Sequence, residues 1–258
     1  AASPVLGGYI QEQFGWRENF LFLFLFGLLI WGLMCAVVPE TNQHLNPEAT
    51  KLRVMMKNYW ILLNSNVFLG YTLCACFTFA GIVAYITIAP FLFQNTLGLS
   101  PLEFGQLTFF TAGAICFSGV VNSFLVMRKG IAYMVGVGAL CMIVSGFSML
   151  LLAFLGKLHV LNIMIPMTLF SLGAGFTFIN AFAGAFHPFP KMAGMAGALY
   201  ASMQDLTAAC SSGLIAAAKV YSMQSLAIIL LLLSVASLAA WYFLAIQPDE
   251  SRGEYENN

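Results

Sequence analysis

The chain has 258 residues, 60% of them hydrophobic and only 8% charged, too few polar side chains to cover a water-facing surface, so a soluble globule is excluded and the solvent must be lipid. Its formal net charge is zero, and with no basic run it offers no footprint for nucleic acid. The six cysteines fall inside apolar runs, without the spacing of a zinc site or a disulfide framework, and read as small buried hydrophobes.

In chain order, the opening AASPVLGGYI sets Pro4, Gly7 and Gly8 in a short apolar run with no helix-starting cap. Seven long apolar stretches follow, at 17–38, 66–94, 104–127, 131–156, 161–187, 192–218 and 222–246. Each has about the 20 residues a transmembrane helix needs. Helices are predicted throughout, because the runs lack the alternation of barrel strands and an open sheet leaves its edges unsatisfied in hydrocarbon.

Between the first two stretches, residues 39–65 are predicted to form a polar loop, of which PETNQHLNPEATKLRVMMKN carries Lys51, Arg53 and Lys57. The positive-inside rule assigns it to the cytoplasm. Crossing the membrane helix by helix, Arg128, Lys129, Lys191 and Arg252 land on the same side, against Arg17, Lys157 and Lys219 on the other. The C-terminus is therefore expected in the cytoplasm, with residues 247–258 a short polar tail expected to be disordered.

Polar residues are unevenly shared among the six stretches after the loop. Those at 66–94, 104–127, 161–187 and 192–218 carry Thr, Ser, Asn, Gln or Asp, whereas 131–156 and 222–246 are almost wholly apolar. The order polar, polar, apolar occurs twice. It suits two three-helix repeats in which two helices face a cavity and the third faces lipid, as in transporters. Stretch 17–38 is equally apolar and matches the lipid-facing member of a preceding repeat.

These features gather into a family resemblance. SPVLGG (Ser3–Gly8), FGWR (Phe14–Arg17), PET (Pro39–Thr41) and GAGFTFINAFAGAFHPFPKMAGMAGALYASMQD (Gly173–Asp205) resemble, in order and spacing, the major facilitator superfamily and within it the Bcr/CflA type of drug:proton antiporter. The resemblance implies an all-α integral membrane protein: the end of helix five and helix six of an N-terminal bundle at 1–38, the central loop at 39–65, and a C-terminal six-helix bundle at 66–246. Pro4, Gly7 and Gly8 are then the remnant of the antiporter motif of helix five. It also implies proton-coupled efflux of lipophilic or cationic compounds across a bacterial inner membrane, with an N-terminal bundle as the missing partner. Two positions depart from the pattern: Ile179 stands where many relatives have a proline, which puts a helix kink there in question, and Asp205 stands where they often have Asn after the glutamine, here Gln204.

Asp205 lies well inside its stretch, about 18 Å from the start near Met192 at 1.5 Å per residue. A carboxylate there costs roughly 2.5 kcal/mol or more to insert and normally faces a wet cavity or the bundle interior. It could exchange a proton or meet a cationic substrate; equally, it could bond a neighbouring helix, because its helical neighbours Ala198, Ala201, Ser202, Ala208, Ala209 and Ser212 are all small and suit close packing. Asn180 shares a stripe with Thr177, Gly173, Gly184 and His187 and is open between ligand contact and interhelical bonding. His187 is expected to be solvated at the cytoplasmic end. Tyr71, Thr78 and Tyr85 recur every seven residues, and Thr111, Ser118 and Asn122 make a second line; both are expected to face inward, toward a substrate path or toward neighbouring helices. No HExxH, GxSxG, Walker loop or metal-ligand spacing occurs, so an enzyme is not expected and no cofactor is called for. Specific metabolite transport, for instance of a siderophore, and a non-transporting half-transporter are the alternatives to drug efflux.

Overall fold

The computed structural model describes residues 3–37, 52–156 and 158–246. The expectations for 39–51, including PET, for Lys157 and for the tail 247–258 lie outside them. Nine α-helices occur among the described residues: α1 (Ser3–Gln13), α2 (Trp16–Val37), α3 (Leu52–Leu63), α4 (Asn66–Pro90), α5 (Pro101–Lys129), α6 (Ile131–Phe154), α7 (Val160–Phe186), α8 (Ala193–Ala218) and α9 (Met223–Ala240). Wide π turns, Phe91–Thr96 and Trp241–Ile246, prolong α4 and α9. Six helices are long and apolar enough to cross a membrane, which makes this a multi-pass membrane protein. The stretch expected as a further span, α8, has 26 residues but draws on Ala, Gly and Ser rather than Leu and Phe, so it has the length without the apolarity.

Local chemistry sets the helix ends. Ser65 caps α4 by accepting the Phe68 N–H. Ser100 and Glu103 form a reciprocal capping box at α5, with Pro101 in its first turn where the missing N–H does no harm. The Ser222 hydroxyl receives the Ser225 N–H at the start of α9, and α5 stops at Gly130, whose φ of 82° suits a residue without Cβ. Helix α7 runs unbroken through Ile179, with Pro166 inside it.

Residues 52–63, expected as part of a polar loop, instead form α3. Its sequence LRVMMKNYWILL alternates basic and apolar residues at helical spacing, so one side can stay polar while Leu62 buries completely. It packs on α4 and α8, and the Asn58 amide contacts the Met195 sulfur at 3.6 Å.

Helices α4 and α7 touch each other at the centre. Helix α4 packs on α8 and α9, while α7 packs on α5 and α6, and α6 lies against α9. Exchanging α4 with α7, α5 with α8 and α6 with α9 leaves this pattern unchanged. The bundle is thus two interlocked three-helix repeats, each central helix seated on the outer helices of the other. The apolar interior divides into two clusters, one around Ile88, Met142, Phe170 and Leu230, the other around Phe68, Tyr71, Ala185 and Tyr200. Outward, α6 shows lipid one apolar stripe of Leu140, Val144, Phe147, Leu151 and Phe154. Helix α2 has no buried residue and touches α1, where the Asn19 amide donates to the Gly7 carbonyl at 3.3 Å.

Small residues allow the closest approaches. A Cβ on Gly138 of α6 would lie 2.6 Å from the Gly173 carbonyl oxygen of α7 and 3.0 Å from the Thr177 nitrogen, both backbone atoms that cannot swing aside. Replacing Gly138 by Leu is therefore expected to force α6 from α7 at a cost of about 1–3 kcal/mol, read as a lower thermal unfolding midpoint in micelles. Gly113→Ala, whose Cβ meets nothing within 4 Å, should leave the midpoint unchanged or slightly raised.

Candidate functional site

Most of the polar residues expected along a solute path lie inside the bundle, bonded between or along helices. Asn180 is the hub on α7: its amide donates to Asn122 Oδ1 of α5 at 2.6 Å and to the Phe176 carbonyl at 2.7 Å, and both asparagines are buried. One α5 turn away, Ser118 faces Gly175, where any Cβ would collide with the serine hydroxyl, and that hydroxyl donates to the Ile115 carbonyl at 2.7 Å. Thr177 donates to the Gly173 carbonyl at 3.0 Å. Ser118, Asn122, Thr177 and Asn180 thus sit along α5–α7 and its approach to α6.

The line on α4 is buried as well. Thr78 donates to the Cys74 carbonyl at 2.8 Å and lies 3.3 Å from the Ser237 hydroxyl of α9, which also donates to the Cys74 carbonyl at 3.0 Å. The Tyr85 hydroxyl points at the Met164 sulfur of α7, 3.6 Å away. Tyr71 lies flat in the space left by Gly184. Thr111 is half-buried and donates within α5, to the Thr108 carbonyl at 2.9 Å.

Asp205 has a different setting. It is exposed on α8, with Ala198, Ala201, Ser202 and Ala209 exposed on the same flank, while Ala208 is buried and Gln204 half-buried. It makes no hydrogen bond or ion pair among the described residues. The side of α8 that enters the bundle carries Ala196, Tyr200, Ala208 and Ile215. On the neighbouring helix, exposed Phe182 stacks on Phe186 with centroids 4.2 Å apart, and both meet Tyr200 edge-on. Phe79 of α4 meets Phe178 of α7 at 6.1 Å, and Ile179 is exposed beside them in sequence. His187 is exposed at the end of α7.

The glycine-rich start forms α1 and reaches α5. A Cβ on Gly8 would lie 2.7 Å from the Pro101 carbonyl oxygen, so only glycine permits this crossing. Beside it, Glu12 Oε1 accepts the Leu102 N–H at 3.0 Å, placing a carboxylate at the positive end of α5. Pro4 lies in the first turn of α1 and Gly7 supplies the carbonyl that Asn19 binds.

The apolar look of 131–156 and 222–246 concealed polar residues that matter. Ser145 of α6 bonds the Pro166 carbonyl of α7, and Ser234 and Ser237 of α9 are buried. Their signal was the spacing: Ser234 and Ser237 fall on one helical face. Among the described residues no cluster of His, Cys, Asp or Glu could hold a metal ion.

The sequence profile of the Major Facilitator Superfamily matches residues 1–212. The chain is 28% identical over 251 residues to the bicyclomycin resistance protein homolog of Haemophilus influenzae, an alignment that covers 97% of this chain and 63% of that protein. It is 27% identical over 247 residues to multidrug resistance protein D of Escherichia coli, covering 94% of this chain and 60% of that one. A chloramphenicol resistance protein of Pseudomonas aeruginosa is 26% identical over 204 residues, or 78% of this chain. The chain therefore spans less than two thirds of the length of these relatives.

If the pair of amides ties α5 to α7, Asn122→Leu and Asn180→Leu each strand a buried partner and lower the unfolding midpoint, while the double variant loses less than their sum. The coupling expected from a double-mutant cycle is about 0.6 kcal/mol, the average for hydrogen bonds between membrane helices, measured by reversible unfolding in mixed micelles.

Proposed function

The chain belongs to the major facilitator superfamily, and on that premise we propose that it forms the C-terminal bundle, with the end of helix five and helix six of the preceding bundle, of a proton-coupled exporter of lipophilic or cationic compounds. The observation that carries this reading is the similarity, over more than nine-tenths of the chain, to a bicyclomycin resistance protein homolog and to multidrug resistance protein D. The interlocked repeats support it: a rigid bundle of paired repeats is the kind of body that rocks against a second one in alternating access. The second bundle would come from the portion that these longer relatives have beyond the aligned region.

In this scheme the residues divide by task. The buried Asn122–Asn180 and Thr78–Ser237 contacts keep the bundle stiff, and α1, seated through Gly8 on α5, links it to the partner bundle where gating occurs. Solute meets the aromatic edge formed by Phe79, Phe178 and Phe182, whose adaptable apolar surface suits varied substrates. Asp205, exposed on α8, is the group that exchanges a proton or offsets the charge of a cationic substrate. The protein sits in a bacterial inner membrane with its C-terminus in the cytoplasm, the side on which Arg53, Lys57, Arg128 and Lys129 gather. Binding and release of small solutes, not covalent chemistry, is the activity.

The test uses the complete gene, with whatever coding sequence precedes Ala1, expressed in cells stripped of their own exporters. Everted vesicles are expected to accumulate a fluorescent lipophilic cation when energised and to lose it on addition of a protonophore. Asp205→Asn is expected to slow that uptake about tenfold, the change produced by 1.4 kcal/mol in a barrier, and to flatten its dependence on external pH. Uptake insensitive to the protonophore, or saturated by one polar solute and indifferent to unrelated lipophilic cations, would replace drug efflux with specific metabolite transport.

A further inference from the structure

Helix α3 divides its circumference three ways, each residue being turned about 100° from the last. Val54, Met55, Asn58, Tyr59 and Leu62 fall on one side, which closes on α4 and α8: Leu62 is buried and the rest are half-buried. Next to that side, within an arc of about 80°, come Leu52, Leu63, Met56 and Trp60. All are exposed, Leu52 by 73% and Trp60 by 69%. Beyond Trp60 come Arg53 and Lys57, one turn apart, exposed and without an ion pair among the described residues. No carboxylate occurs in the helix. Ile61 is the one exposed apolar residue of α3 that falls outside the apolar arc.

The position of α3 gives these three sides their meaning. Only Asn64 and Ser65 separate it from α4, which is long and apolar enough to cross the membrane. Its Asn58 meets Met195 in the first turn of α8, and Leu62 clusters with Phe68 in the first turn of α4 and with Ala196 of α8. Helix α3 therefore lies across the ends of two bundle helices, where hydrocarbon gives way to headgroups. A helix at that level meets protein, acyl chain and headgroup in turn around its circumference, and packed, apolar and cationic sides follow one another on α3 in that order. Trp60 stands on the border between the apolar and cationic sides, as an indole does at a membrane interface. Water alone would not suit Leu52, Met56 and Trp60 together, and a protein surface laid over the whole exposed side would bury two cations that have no counter-charge of their own. An anionic leaflet accepts both sides at once.

We propose that α3 is an interfacial helix that binds anionic phospholipid, with Leu52, Met56 and Leu63 against the upper acyl chains, Trp60 at the boundary, and Arg53 and Lys57 on the lipid phosphates. The proposal depends on the chain spanning a membrane and is independent of what the protein carries.

Trp60 fluorescence tests it in the complete gene product reconstituted into bilayers, where the emission lost in Trp60→Phe isolates that indole from the others. Bromine near the carbonyl end of the acyl chains is expected to quench this emission several-fold more strongly than bromine at the chain terminus, and aqueous iodide to quench it little. Brominated phosphatidylglycerol should quench it more than brominated phosphatidylcholine at equal content. Arg53→Gln and Lys57→Gln should each lower that lipid preference about fivefold, the change produced by about 1 kcal/mol per basic residue near an anionic surface. Arg128→Gln, at the end of α5, should leave it unchanged. Quenching by iodide but not by bromolipid would put the exposed side in water, and quenching by neither would put it under another protein surface; either result overturns the proposal. So does equal quenching by the two lipids in the wild type, or an undiminished preference when both cations are replaced.

Discussion

In hydrocarbon a polar side chain has no water to bond, and the pairing of Asn180 with Asn122 is where that constraint is felt most strongly in this chain. Two amides that would each be costly alone become a fixed contact between α5 and α7. The same logic turns Thr78 and Ser237 toward the Cys74 carbonyl and Ser145 toward the Pro166 carbonyl. A polar group finds its partner either across a helix crossing, as Asn180 and Ser145 do, or on a carbonyl one turn back in its own helix, as Thr177 and Ser118 do. The bilayer offers Leu and Phe nothing that a neighbouring helix does not, so those side chains can face outward, as they do all round α2.

With the hydrophobic effect largely silent between helices, contact depends on how near the backbones can come. Gly138 against Gly173, Gly175 against Ser118 and Gly184 against Tyr71 let α7 sit deep among α4, α5 and α6. These approaches involve backbone atoms, a short serine side chain or a flat ring, which makes the bundle stiff across its centre. Because α4 and α7 each rest on helices of the other repeat, neither repeat can move without its counterpart, and the six helices are suited to move as one body.

The sequence revealed the helices and the repeats more readily than the directions of side chains. Apolar length placed the helices within a few residues, since lipid thickness acts locally; the caps at Ser65, Ser100 and Ser222 then fix the starts of α4, α5 and α9. The division into polar and apolar helices was read as cavity-facing against lipid-facing. Yet in the bundle Tyr71, Thr78, Tyr85, Asn122 and Asn180 are all buried between helices. Periodicity shows that residues share a face; it does not show whether that face meets water or another helix. Helix α3 was hidden for a related reason: basic residues next to a long polar run look like loop until the register of Leu62 against the bundle is known. Serines in α6 and α9 were masked by their apolar company.

Asp205 remains the residue whose placement the six-helix bundle does not itself explain. Every other polar residue named along α4, α5 and α7 has a partner within the bundle or in its own helix, whereas this carboxylate faces outward from a flank of alanine and serine. A charge facing acyl chains would cost roughly 2.5 kcal/mol or more, and small neighbours give it neither a counter-charge nor donors enough to offset that. Such a flank is stable only against water or against another protein surface that comes close enough to use its smallness. On the proposed reading it meets both in turn: the partner bundle closes on it in one state, and the aqueous passage reaches it in the other. A proton bound in the closed state and released in the open one would tie the movement to the gradient, so the cost of the carboxylate is what makes the two states unequal when its charge changes.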